Sequence, residues 1–200
     1  TPAIRLDFPV RQAPVPRVMI ERGSRERFAD IVTFINREAK KNQFAAVYRS
    51  EDFIDGRFAG VAPESFFLAI RAGEICGTLA AWDQASVRQI HVHGYSPSLA
   101  FARPLYNVLS NLLPIKPLPS IGERIPCLYL ACAFTNDGDV PLFRHLLRAA
   151  HEALRQGPWS YAVCGLHEAD PRAEELLALR HIPATGRLFV VHYPEQPPKL

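Results

Sequence analysis

The sequence predicts an α/β (α+β) domain with a mixed central sheet flanked by helices. Three observations predict it. Apolar runs of strand length alternate with segments of helical spacing along most of the chain. Phe66–Ile70 and Ile75–Trp82 flank Arg71-Ala72-Gly73-Glu74, the pattern of a β-hairpin with glycine in its turn. Leu128–Phe134 is continuously apolar, as expected of a strand buried on both faces, and a helical pattern follows it.

In chain order, Pro2, Pro9, Pro14 and Pro16 come first. Proline fixes φ and discourages helix at the preceding residue, so residues 1–17 read as an extended leader or interdomain linker. Val18–Glu21 reads as a short strand. Ser24 is placed to cap a helix carrying Phe28, Ile31, Val32 and Ile35 at helical spacing. After the hairpin, Ile90–Tyr95 reads as a third strand with His91 and His93 on one face. Leu99–Leu113 looks helical, and Pro114, Pro117, Pro119 and Pro126 mark a long connection before the buried strand.

Val140–Arg155 places Val140, Phe143, Leu146, Leu147, Ala150 and Leu154 at helical spacing, closed by Gly157 and Pro158. Tyr161–Leu166 reads as another buried strand. Asp170 and Pro171 suit the N-cap and first residue of a helix to Arg180. Arg187–Tyr193 reads as the last strand. The expected division is a leader (1–17), a single domain (18–193) and a proline-marked tail (194–200). There is no internal repeat.

At 200 residues and 48% hydrophobic, the chain has enough apolar material for a substantial core. Lys+Arg 23 against Asp+Glu 20 leaves a net charge of only +3, without a long basic block, which points away from nucleic acid. Arg22–Arg27 mixes signs like a solvated helix start. No apolar run approaches the ~20 residues of a membrane span, and no signal peptide is visible. A soluble, cytoplasmic protein is the default expectation. The first residue is Thr1, so a processed product or a piece of something longer is expected.

Cys76, Cys127, Cys132 and Cys164 each sit in an apolar run without CxxC spacing, as reduced core thiols do. His91-x-His93 has a spacing compatible with a metal, but no third ligand is recognisable nearby, and no metal is expected. His167, Glu168 and Asp170 follow the strand Tyr161–Leu166, where α/β folds place ligands. His167 and Glu168 are thus the candidates for general-base chemistry, with Asp170 explained as a cap. Trp82, Asp83 and Gln84 end a hairpin strand with polar groups that could face a substrate.

The order of elements resembles the GNAT (N-acetyltransferase-like) superfamily. Gly73-Glu74 with Gly77 looks like that fold's central hairpin, and Leu128–Phe134 with Val140–Arg155 looks like its core strand and cofactor-facing helix. Ala81-Trp82-Asp83-Gln84, Gly94-Tyr95-Ser96, Arg103-Pro104-Leu105-Tyr106-Asn107 and Gly165-Leu166 with Asp170-Pro171 look more narrowly like the C-terminal unit of bacterial tandem GNAT-like proteins. The resemblance implies acetyl-CoA or another acyl-CoA as cofactor, facing Phe134, Thr135 and Asn136. It also implies a small-molecule or peptide amine as acceptor, and an upstream GNAT-like domain or a homodimer as partner.

In that family the pyrophosphate lies on a Q/R-x-x-G-x-G/A loop at a helix N-terminus, where glycines let the backbone approach. Registering the motif with its following Leu-Leu on Leu146 and Leu147 puts Gly138 at the basic position. Pro141 and Phe143 then take the glycine positions. Pro141 has no N–H to donate. Asp137 and Asp139 add negative charge, and like charges about 4 Å apart repel by ~1 kcal/mol in water and about 4 kcal/mol at an effective dielectric of 20. Asp139 or Asp137 reads instead as an N-cap, with Pro141 early in the helix. The family's tyrosine acid falls on Leu177. Two functions remain: an N-acetyltransferase with a degenerate pyrophosphate loop, or a non-catalytic GNAT-like binding or dimerisation domain of a tandem protein.

Overall fold

The computed structural model describes residues 2–11, 14–42, 46–54, 58, 60–113, 115–183 and 186. The observed architecture is the expected mixed α/β fold, a central mixed sheet flanked by helices. The strands are β1 (Ala3–Arg5), β2 (Met19–Arg22), β3 (Phe66–Arg71), β4 (Glu74–Trp82), β5 (Cys127–Thr135), β6 (Tyr161–Cys164) and β7 (His181–Ile182). Among the described residues they form one sheet in the order β2-β3-β4-β5-β6-β1-β7. All pairings are antiparallel except β5–β6, which is parallel and joined by a crossover. The helices are α1 (Phe28–Ala39), α2 (Ser50–Ile54), α3 (Pro97–Ser110), α4 (Val140–Arg155) and α5 (Ala173–Leu177).

The hairpin forms as its sequence dictates. Ala72 and Gly73 have φ of 51° and 85°, the paired left-handed residues of a two-residue turn that matches strand twist. Side chains then alternate across the sheet. Phe66, Leu68 and Ile70 face α1, where Phe28, Ile31 and Ile35 cover them. Phe67 and Ala69 face the other way with Leu79, Leu128 and Leu130, and α4 covers these with Leu142, Phe143, Leu146 and Leu147. At Gly77 an added Cβ would lie 3.3 Å from both Ala69 and Thr135. A side chain here would crowd Ala69 of β3 and Thr135 of β5, and would touch Leu146 of α4 at 3.5 Å.

β5 carries a bulge. Thr78 pairs with Phe134 but Ala80 with Ala131, so two residues, Cys132 and Ala133, stand opposite one. Cys132 takes a φ of 49°, uncommon for a residue with a Cβ, and its carbonyl accepts from Thr78 Oγ1 at 2.9 Å.

Several expectations need correction. The sequence reads residues 3–5 as part of a leader, yet β1 lies inside the sheet, paired on both sides, with Ile4 and Leu6 buried. Extended, proline-flanked backbone suits a strand as well as a linker. Ser24 does not cap α1, which starts at Phe28 behind Arg27 without a side-chain cap. Ile90–Tyr95 is not a strand, and only a single bridge from His91 to Arg124 forms. Leu128–Phe134 is a strand, though more of it is half-buried than buried. Pro171–Arg180 shortens to α5. The expected strand Arg187–Tyr193 and the tail 194–200 lie outside the described residues. No helix among the described residues is long and apolar enough to cross a membrane.

Candidate functional site

The segment joining β5 to α4 is where the family resemblance implies a cofactor phosphate. Asn136–Gly138 makes a single turn of 3₁₀ helix, with Asp137 and Gly138 at φ of 51° and 71°. Two of its N–H donors are already engaged, that of Asp137 by Glu38 Oε2 at 3.2 Å and that of Asp139 by the Asn136 carbonyl at 3.0 Å. Asp139 caps α4, its Oδ1 accepting from Leu142 N at 2.9 Å. Pro141 occupies the first turn without an N–H, and Phe143 N donates to the Asp139 carbonyl at 3.0 Å. Thr135 Oγ1 donates to that same carbonyl at 3.2 Å.

A third carboxylate, besides those of Asp137 and Asp139, enters from α1. Glu38 is buried, and its Oε2 accepts from Asp137 N at 3.2 Å and from Lys41 Nζ at 2.7 Å. Its Oε1 accepts from Arg37 Nε at 3.0 Å. Lys41 also donates to Asp137 Oδ1 at 2.8 Å, and Arg37 NH2 to Asn136 Oδ1 at 2.8 Å. Burial works to raise the Glu38 pKa, but the bonds from Lys41, Arg37 and Asp137 N–H prevail and hold it below the ordinary glutamate value. The turn therefore carries a resident anion of the chain's own.

The slot between β5 and β6 is filled as well. Their parallel pairing ends at Leu130 and Cys164, while β5 continues to Thr135. Arg172, just before α5, reaches across and donates from NH1 to the Ala133 carbonyl at 2.7 Å. Asp170 grips the same guanidinium at 3.0 and 2.6 Å, and Phe143 lies beneath it with the ring centroid 5.6 Å away. The hydrogen bond from Arg172 holds the Asp170 pKa below its usual value. Phe143, at a glycine position of the family motif, is fully buried. These residues do not fit an acyl-CoA: the phosphate turn already holds carboxylates, and the strand carbonyl beside the slot is bonded to arginine.

On the α1 side of the bulge, the Tyr48 hydroxyl bonds to the Cys132 thiol, and burial pushes that thiol up to about 11. Tyr48 joins an aromatic group with Phe53, Phe58 and Trp82, at centroid spacings of 5.0–5.9 Å. Burial pushes the Cys164 thiol up to about 12. Both sulfurs are therefore protonated near neutral pH, and neither is an activated nucleophile.

The residues singled out in the sequence divide between the two ends of the sheet. Phe134, Thr135 and Asn136 lie at the C-terminal end of β5, with Thr135 buried and Asn136 bound to Arg37. His167 and Glu168 lie on an exposed turn after β6, where His167 Nδ1 accepts from Ala169 N at 3.1 Å. Trp82, Asp83 and Gln84 lie at the opposite end, because Trp82 pairs with Tyr129 whereas Gly77 pairs with Thr135. The β-strand rise puts these ends roughly 20 Å apart. Asp83 Oδ2 accepts from Trp159 Nε1 at 3.1 Å beside a cleft of about 340 Å³, also lined by Arg22, Ser65, Ala81 and Ala153.

His91 is tied by its ring to Gly122 O and Gln89 Oε1, at 2.8 and 3.1 Å, and shares no strand face with His93. Among the described residues no three His, Cys, Asp or Glu converge as a metal would require. Sequence reasoning missed Glu38 and Arg172. Glu38 left one signal, a charge three residues after Ile35 on the apolar stripe of α1. Arg172 left none.

The strand order and the β5–α4–β6 crossover match the GNAT-like topology that the sequence resembles. No protein-family model matches the chain, and no curated protein does. Among solved structures it is similar to an acetyltransferase of Trypanosoma brucei, at 10% identity and a TM-score of 0.48, covering 86% of this chain and 99% of that one. It is also similar to an aminoglycoside acetyltransferase from an uncultured soil metagenomic sample, crystallised with trehalose. That likeness has 13% identity and a TM-score of 0.45, covering 88% and 95% of the two chains. Neither likeness bears on what this chain does.

Proposed function

We propose that the chain is a non-catalytic GNAT-like binding or dimerisation domain rather than an acyl-CoA-dependent N-acyltransferase. One observation carries this. The turn that would receive an anionic cofactor gives its Asp137 N–H to the buried Glu38 carboxylate, and the helix behind it is capped by Asp139. A helix N-terminus offers an anion a favourable dipole worth ~0.3–1 kcal/mol at an exposed site. The carboxylates of Glu38, Asp137 and Asp139 already stand at that end of the helix, and the nearby cations Lys41 and Arg37 are held in ion pairs with Glu38 and Asp137. A pyrophosphate would have to compete with the chain's own anions there. The Arg172–Ala133 bond supports the same reading, since a ligand entering between β5 and β6 must first displace a guanidinium held by Asp170.

The test is calorimetric titration of the chain with acetyl-CoA and with a longer acyl-CoA, alongside thermal-shift measurements. No heat and no shift at millimolar ligand are expected. Saturable binding by the unaltered chain, weakened by substitutions at Phe134 or Asn136, would overturn the proposal in favour of an acyltransferase.

A further inference from the structure

Residues 83–126 join two strands that lie side by side in an antiparallel pair, a task a few residues can perform. They contain α3, and α3 is amphipathic the wrong way round. Arg103, Tyr106 and Asn107 face its own chain. Arg103 donates to Leu118 O and Ser120 Oγ, Asn107 exchanges hydrogen bonds with the Leu118 backbone, and Tyr106 accepts from Arg5. No residue of α3 is buried.

Its apolar residues point outward. Phe101 is 90% exposed, Leu105 65%, Val108 60% and Leu112, just past the helix, 79%. Their spacing of four, three and four is that of a heptad seam, and at 3.6 residues per turn they fall within about 60° of arc. Leu109 and Leu113, also exposed, widen the strip on one side.

We propose that α3 is a dimerisation helix, its seam of Phe101, Leu105, Val108 and Leu112 packing against the same seam of a second copy about a two-fold axis. Size favours this occupant. Each large apolar side chain offers on the order of 100 Å², so the six residues present on the order of 600 Å². That approaches the ~800 Å² per partner of a standard interface and reaches the top of the ~300–600 Å² range for the largest patch on a monomer. Charge favours it too. The one charged residue of α3, Arg103, is turned inward, so two copies meet without like-charge repulsion. A helix that lies on a lipid surface carries a cationic polar face, which α3 lacks. An isologous contact needs only a self-complementary strip, and a heptad seam is one.

The proposal supplies the partner for the binding-or-dimerisation reading and rests on it, yet the two fail separately. A dimer that also bound acetyl-CoA would keep the α3 contact and sink only the earlier reading. The test is sedimentation equilibrium of the full chain. Twice 22.4 kDa at micromolar concentration is expected. F101S and L112S should each weaken association at least about tenfold, since every interface contains the residue twice. V47S, which removes an exposed apolar residue elsewhere, should leave it unchanged. Because an exposed-site variant can still misfold, L105C in the otherwise unaltered chain provides a second measurement, expected to give a cross-linked dimer under mild oxidation. A monomer at all concentrations up to about 100 μM, well above the micromolar range expected of a working dimer, would overturn the proposal. So would a dimer indifferent to F101S and L112S, or a monomer that floats with phosphatidylglycerol-containing vesicles.

Discussion

Helices α3 and α4 are written in the same code and used in opposite senses. Both carry apolar residues at helical spacing. In α4, Leu142, Phe143, Leu146, Leu147, Ala150 and Leu154 are all buried against the sheet. In α3, residues of the same kind and spacing are exposed, and the polar side chains hold the helix to the chain. Periodicity specifies that a helix has two faces. What lies beside it decides which face turns inward: a sheet for α4, a proline-rich connection offering mainly carbonyls for α3.

Truncation in the two seams gives the widest expected contrast. Leu146 is fully buried, so Leu146→Ala should destabilise by ~2–5 kcal/mol and lower the melting temperature by roughly 5–20 °C. Leu105→Ala, measured at a concentration where the chain is monomeric, should fall within about 0.5 kcal/mol of the unaltered protein. Comparable losses from the two would break the contrast, because α3 would then be packed within one chain.

Acid should act on the α4 side of the molecule first. Burial lowers the pKa of His145 and His151, both on α4. His151 Nε2 donates to Arg5 O at 2.9 Å, which leaves Nδ1 without a protein partner among the described residues. A histidine whose folded pKa is depressed contributes stability above its unfolded value near 6.5, and that contribution is lost as pH falls below it. Glu175, bonded to Arg144, and Glu38 are held below the ordinary glutamate value, and Asp170 below that of aspartate. Their contribution is present above the unfolded values near 4 and disappears as pH falls through the folded ones. Urea midpoints should therefore be level between about pH 7 and 8, and decline below about 6.5 and again below about 4.5. They should also fall above about 8.5, where the unfolded thiols ionise while Cys132 and Cys164 stay protonated in the fold. A level profile from pH 7 to 4 would show that these groups are not held as described. Helix α3 has no carboxylate or histidine and should contribute nothing to the slope.

At the helix starts the difference is smaller. Asp139 accepts from Leu142 N, so Asp139→Ala should cost ~0.5–2 kcal/mol in a denaturant melt. The same change removes one of the three carboxylates, leaving Asp137 and Glu38, from the turn that resists anions. If it alone produced acetyl-CoA binding, the weight placed on Glu38 would shift to the cap.

How much of this was legible follows the same division. The hairpin and α4 could be read directly, and the α4 cap down to Asp139 or Asp137, because turn chemistry, periodicity and capping are local. β1 could not, since a short Ala-Ile-Arg run becomes a strand only when β6 and β7 lie on either side of it. Ile90–Tyr95 failed in reverse: its alternation is sound, but the connection carrying it runs beside no sheet edge. The site was less legible than the fold. The loss of the glycine pair showed in the sequence, but not what replaced the ligand, because Glu38 and Asp137 are brought together by packing of α1 against the sheet. Arg172 follows Asp170-Pro171 like any helix-start residue, and only the early end of the β5–β6 pairing gives its guanidinium a carbonyl to reach.

The smallest expected effect is at Ser96, before α3. A serine followed by Pro97 at the first helical position has the same local signature as Asp139 with Pro141, and sequence alone would grade the two alike. The geometry separates them. Ser96 makes no side-chain cap bond, and its Oγ lies 3.4 Å from Ser98 Oγ instead of on a backbone N–H. What it contributes is its carbonyl, which accepts from Ala100 N at 2.8 Å and which alanine would provide equally. Ser96→Ala should therefore change stability by less than about 0.5 kcal/mol and leave the dimer mass unaltered. A loss near 1 kcal/mol, typical of a working cap, would show that α3 is anchored at its N-terminus as α4 is. The contrast between the two helices would then narrow to their apolar seams.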